Sequence, residues 1–253
     1  MEIFDLLVLA VFGIVGGMLS GLAGVGGGIV FVPALVYAAG WNIKEAVAAS
    51  LIIIVFASLS GTIRNQRSRD PANWKWALLF ALTVAPSSLI GVAISRISPE
   101  TVVEVAFAIL LLILAYPTAK GRPEMDEGVQ KIPTWTVFVA GVFIGALSGL
   151  VGVGGGVVMV PLMVLGLGLS AKRAVSTSLA VVMFTGLVGG LGYIATGFDR
   201  LAELPPLVVG SIVGALIGVR IRDPLPDNVV RVGFACFMVL VALRTLAGVF
   251  GIF

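Results

Sequence analysis

Two stretches of this chain carry the residues best suited to chemistry. Residues 21–33 read GLAGVGGGIVFVP and residues 149–161 read GLVGVGGGVVMVP. The groups such glycine clusters offer are backbone N–H donors. A chain that turns through GVGGG and then enters a helix at Gly28, and again at Gly156, presents the unpaired N–H groups and partial positive charge of a helix start. Glycine lets a ligand approach that backbone closely, which suits an anion. Neither stretch is a phosphate-binding P-loop, because no Gly-Lys-Ser/Thr follows. Neither is the dinucleotide G-x-G-x-x-G, because no strand precedes it. Gly24, Gly26, Gly27 and Gly28, with Gly152, Gly154, Gly155 and Gly156, are therefore candidate substrate-binding residues.

The rest of the inventory is hydroxyls. The chain has no histidine and a single cysteine, Cys236. That excludes a His-based metal site, a Ser-His-Asp triad, a Cys-His dyad and a disulfide framework within the chain. Enzymatic function is not expected, no cofactor is implied, and nothing points to nucleic acid. Ser20 and Ser148 are paired by the repeat, as are Ser50 and Ser178, and Thr177 adjoins the latter. Hydroxyls in apolar helices usually bond back to their own helix or to a neighbour. Ser50 and Ser178, on the helix that follows each glycine stretch, are the pair expected to reach a substrate, with Thr177 beside them.

The elements that must hold these groups are membrane spans. Of 253 residues, 59% are hydrophobic and only 11% charged, less than half the charge of a soluble domain. Apolar runs cover 4–20, 28–40, 44–63, 74–95 and 101–117, then 134–148, 156–168, 172–193, 204–221 and 228–250. Segments near 20 residues in length match the hydrocarbon thickness. The opening MEIFDLL lacks the positive charge of a signal peptide, so 4–20 is read as a permanent span.

The chain is one unit doubled. A shift of 128 residues superposes 21–61 on 149–189 with about 20 of 41 positions identical. The expected organisation is a first transmembrane repeat over 1–117, a polar cytoplasmic linker over 118–133 and a second repeat over 134–253. Five crossings per half invert the second half. Re-entrant glycine dips would leave four crossings and parallel halves. Lys and Arg collect in cytoplasmic loops. With five crossings and the N-terminus outside, they divide 12 inside to 4 outside; the four-crossing arrangement gives 9 to 7. The fold class expected is thus an all-α polytopic membrane protein with ten segments in two inverted repeats and glycine-broken helices. Such repeats build many secondary transporters, which bind substrate where broken helices meet near the midplane.

Several residues have plainer readings. Gly13, Gly17 and Gly21, and Gly141, Gly145 and Gly149, are spaced four apart as helix-packing ridges are. Asn42 and Ser170 read as helix N-caps. Lys44 and Lys172 stand at opposite mouths, where they attract anions or snorkel to the interface. Glu104 and Arg244 are the ionisable residues inside late segments, each close to a segment end. With no buried acid pair, facilitated diffusion or coupling through the substrate's own protonation is expected. The loop RNQRSRDPANWKW (64–76) reads as a topology signal, with Trp74 and Trp76 in the interfacial belt.

The paired G-L-x-G-V-G-G-G-x-x-x-V-P segments, each followed by K-x-A-V-x-x-S-L, resemble the TauE/SafE family of membrane permeases. The resemblance spans nearly the whole chain. It implies a cell-membrane carrier for sulfite, organosulfonates or related sulfur-containing anions. The partners implied are a small anionic substrate and the lipid bilayer, and a homodimer is compatible with it. The competing reading is a non-transporting membrane scaffold or assembly subunit.

Overall fold

A computed structural model describes residues 3–23, 26–68, 70–120, 133–221 and 227–250. These residues form helices and connecting turns. In chain order they are α1 (Ile3–Ala23), α2 (Gly28–Tyr37), α3 (Ile43–Asn65), α4 (Trp74–Ile97) and α5 (Glu100–Lys120). The second half contributes α6 (Thr134–Val151), α7 (Gly156–Leu167), α8 (Ala171–Ala195), α9 (Pro205–Ile221) and α10 (Asp227–Val249). A short 3₁₀ turn, Arg200–Glu203, precedes α9.

Local chemistry sets these bounds. Asn42 Oδ1 accepts from the N–H groups of Lys44 and Glu45 at 2.7 and 3.2 Å, so α3 opens where its cap stands. Ser170 Oγ accepts from Arg173 N at 3.3 Å and does the same for α8. Most helix ends differ from the apolar runs by a few residues, two of them informatively. The second helix stops at Tyr37, short of residue 40, and Gly40 follows in a left-handed conformation (φ 67°). The fifth runs through Pro117 to Lys120. The polar linker therefore begins later than residue 118, and 121–132 lie outside the described residues.

The halves interleave instead of folding side by side. α1 packs along α9 and α6 along α4, the same pairing with the halves exchanged. The glycine ridges make this contact. A Cβ on Gly21 would stand 2.5 Å from the Ala215 carbonyl oxygen, and one on Gly13 would stand 2.6 Å from that of Leu207. On the other side, Gly145 and Gly149 lie against the backbone of Val84 and Ser88, and Gly91 against Ala146. Small residues let helix backbones approach where lipid offers no hydrophobic drive.

Helix direction settles how the halves are related. Gly61 of α3 meets Leu179 of α8, whereas Leu51, ten residues earlier, meets Gly186 and Gly189. The two equivalent helices are antiparallel, which parallel halves would forbid. α4 and α8 run the same way, with Gly189 beside Ser88 and Gly192 beside Leu89 and Val92. Five crossings per half give both relations, and four give neither. The repeat is inverted.

Four described helical segments are long and apolar enough to cross a membrane alone: Ile43–Asn65, Trp74–Ile97, Glu100–Pro117 and Lys172–Ala195. α2 and α7 have 10 and 12 residues. At 1.5 Å per residue they span about 15–18 Å, roughly half the hydrocarbon core. Apolar side chains such as Leu82, Ile113, Phe143 and Leu240 face outward, toward the lipid of a membrane-embedded bundle.

Candidate functional site

The two glycine turns meet at the centre of this bundle. Gly26 and Gly154 are repeat-equivalent, and both abut Ile54 and Val182. Those residues lie at the middle of α3 and α8, so the turns sit at mid-length of the central pair. Gly28 packs directly on the Gly152 carbonyl oxygen, with no room for a Cβ. Gly27 and Gly155 hold φ of 81° and 74° as the residues that start α2 and α7. L-residues rarely adopt this conformation, which explains the glycines independently of space.

The helix starts are buried and bare. Neither Gly27 nor Gly155 supplies a side-chain cap. The first backbone bonds of α7 come from Val158 and Met159, both to Gly155 O at 3.2 and 3.1 Å. The N–H groups of Gly156 and Val157 precede them, inside the bundle. An inverted pair of half-helix N-termini at the bundle centre is the arrangement that attracts an anion. Gly24 lies outside the described residues.

The hydroxyls divide differently from the sequence expectation. Ser50 Oγ lies 2.7 Å from Gly152 O and 2.9 Å from Val47 O, so its one proton goes to a carbonyl. It fastens the opposite half's turn. Thr177 Oγ1 donates to Arg173 O at 2.7 Å and accepts from Asn73 N at 2.9 Å. It holds the loop after α3 against the start of α8. Ser178 is fully buried on α8 and is engaged as well. Ser20 and Ser148 are the repeat-related hydroxyls left buried with no partner among the described residues. The Cβ of Ser148 would lie 3.7 Å from one on Gly155, beside the bare start of α7. Their pairing was visible in the repeat; their lack of a partner was not, because back-bonding is the usual fate of a helical serine.

The charged residues sit at the ends. Lys44 Nζ donates to Arg96 O at 3.4 Å, and Arg200 pairs with Glu45 at 3.2 Å while stacking over Trp41. Arg244 lies over Tyr37, whose hydroxyl bonds Thr245 at 2.7 Å. The four cations assigned to one face by charge counting thus share one end of the bundle. Glu104 is at that end too, lining a cavity of about 180 Å³ with Tyr37, Pro33, Phe107 and Thr245. Arg64 and Arg173 are at the opposite end, with Lys172 exposed beside them.

Asn65 was read as part of the basic loop. It is instead the last residue of α3, fully buried, with both amide atoms unpartnered. Its position at the edge of an arginine-rich run concealed this.

An all-α bundle of two inverted, interleaved halves with broken helices meeting at its centre defines a multi-pass membrane protein built as membrane transporters often are. Within that class the chain belongs to the TauE/SafE family: the family described as "Sulfite exporter TauE/SafE" matches residues 9–245. Similar proteins include the probable membrane transporter protein YunE of Bacillus subtilis, 26% identical over 94% of this chain and 96% of that one. Probable membrane transporter proteins of Methanocaldococcus jannaschii and Haemophilus influenzae are 24% and 27% identical. Those alignments cover 97% and 95% of this chain, and 94% and 97% of theirs.

Proposed function

We propose that this protein is a carrier or facilitator of small oxidised-sulfur anions, sulfite and organosulfonates foremost. The observation that carries the reading is the pair of uncapped helix starts, at Gly28 and Gly156, brought together at mid-bundle. Buried N–H groups and the hydroxyls of Ser20 and Ser148 offer donors without a fixed charge. Neutral donors bind an anion without trapping it, and a carrier must release what it binds. The six helices α1–α3 and α6–α8 bring no carboxylate to this centre, which disfavours a cation. The family's description as sulfite exporter supports the sulfur class.

In the structure the turns are in contact, so passage requires them to separate. Ser50 and Thr177 then act by positioning the turn and the loop, and the glycine backbone with Ser20 and Ser148 meets the substrate. The end bearing Arg64 and Arg173 faces the cytoplasm by the positive-inside rule, which puts the N-terminus outside. Lys44 and Lys172 draw anions to the two mouths. Glu104 belongs to one mouth, so transport does not depend on its titration.

The test is a flux panel in proteoliposomes with sulfite, thiosulfate, sulfate and methanesulfonate, and potassium as the cation control. Flux confined to one or more of the anions, and unaltered in Glu104→Gln, is expected. A folded protein that moves none of them would favour the scaffold reading, and loss of a proton-driven component in Glu104→Gln would overturn the uncoupled mechanism.

A further inference from the structure

The inverted repeat makes each half of the α3–α8 seam the counterpart of the other, and the two are chemically opposite. Toward the arginine-rich end lie Ser58, Thr62 and Asn65 of α3 with Ser176 of α8. Their counterparts 128 residues away are Gly186, Gly190, Tyr193 and Ala48. One half is lined by an amide and three hydroxyls; the other has glycines, an alanine and a tyrosine.

Along α3 and α8 the second half is satisfied, although Ser95 Oγ of α4 at that end is buried without a partner among the described residues. Gly186 packs on the Leu51 carbonyl, Gly190 on Ile52, and Tyr193 donates to Gly149 O at 3.0 Å. The first half is not. Ser58 Oγ, Thr62 Oγ1, Ser176 Oγ and both amide atoms of Asn65 are buried with no partner among the described residues. Asn65, Ser58 and Ser176 are fully buried and Thr62 is 3% exposed. Helix register relates these positions. Residues 58, 62 and 65 fall on one stripe of α3. Gly61, between them, touches Leu179 of α8 and Val219 of α9. Extending the antiparallel register one turn brings Asn65 level with Ser176. The cap of this region is fixed: Ser68 Oγ bonds Asn65 O at 2.7 Å, and Asn73 bonds Thr177.

Buried polar atoms in native proteins are almost always paired with protein, water or ligand. An unpaired amide is costly, and an apolar isostere in its place is neutral or stabilising. Five unpaired atoms on one side of an inverted repeat, none of them copied on the other, are not needed for packing. The described charges at that end include Arg64, Arg67 and Arg173, all exposed, and Asp70, half-buried in the loop whose Ser68 bonds the Asn65 carbonyl. We infer that Asn65, Thr62, Ser58 and Ser176 form a second subsite for a small oxyanion, lying between the glycine turns and the arginine-rich end. The amide N–H₂ and the three hydroxyls donate to the anion's oxygens as it leaves or enters the central turns. The anion class rests on the function proposed above; the buried, unpartnered polar cluster does not.

The test uses Asn65→Leu, which keeps asparagine's branching but is bulkier, with Thr62→Val, isosteric and without added bulk, as a second variant. Sulfite is the probe, measured by saturation of flux in proteoliposomes and by thermal melting in detergent without anion. A subsite predicts melting of Thr62→Val at or above the wild-type temperature, with KM for sulfite raised about tenfold in Asn65→Leu and by less in Thr62→Val. Lowered melting with unchanged KM would overturn it, as would wild-type melting and wild-type KM, which would assign the cluster to water alone. Absence of flux of every anion in the panel from the wild type would overturn the carrier reading and, with it, the anion class assigned to this cluster. Wild-type flux with unchanged KM in both variants would remove the subsite alone.

Discussion

Glycine does two different jobs in this bundle. Along α1 and α6 it makes ridges, where Gly13, Gly21, Gly145 and Gly149 let one backbone lie on another. In the turns before α2 and α7 it supplies left-handed backbone, with φ between 74° and 81° at Gly26, Gly27, Gly154 and Gly155. The ridges are about space and the turns about conformation and donors. A ridge joins the halves, since α1 of one grips α9 of the other. A turn breaks a helix at mid-bundle and leaves N–H groups there. Architecture and function are therefore separable by substitution.

The largest effect is expected at a ridge. Gly21→Leu would drive a side chain into the Ala215 carbonyl, main chain against main chain, with no flexible neighbour to yield. Overpacking of this kind costs about 1–3 kcal/mol or more, and size-exclusion chromatography should show aggregated or absent protein. A turn glycine should cost less. Gly155→Ala meets a side-chain methyl instead of backbone, Ile144 Cγ2 at 2.7 Å, on a residue whose χ1 is restricted, and forces alanine to φ 74°. That strain is about 1–2 kcal/mol, so the variant should melt earlier yet elute as wild type. Smaller again is Ser50→Ala, which strips the buried Gly152 carbonyl of its side-chain donor. A loss of about 1 kcal/mol is expected in thermal melting. At the bottom, Gly248→Ala in α10 meets nothing within 4 Å. It should raise helix stability by about 0.5–1 kcal/mol and leave flux unchanged. Equal effects at Gly21 and Gly155 would erase the distinction drawn between the two kinds of glycine.

Much of this was legible beforehand, for physical reasons. The helix starts at Gly28 and Gly156, and the caps Asn42 and Ser170, are local features that a few residues encode. The inversion was legible because charge counting over whole loops sums many weak signals. What lay hidden needed three dimensions. The exchange of α1 and α6 between halves depends on which ridge finds which groove. The engagement of Ser50 depends on a carbonyl 102 residues away. Asn65 sits beside three arginines in sequence but points into the bundle, and the Tyr193–Gly149 bond has no local signature at all.

The account rests on the glycine turns being where the anion is handled. Its most direct test is sulfite counterflow in proteoliposomes for wild type, Gly155→Ala and Gly248→Ala, at matched amounts of correctly eluting protein. The account predicts that Gly248→Ala keeps wild-type flux while Gly155→Ala loses about tenfold, the equivalent of ~1.4 kcal/mol. Wild-type flux in folded Gly155→Ala would contradict it, and would move the site of anion handling away from the turns.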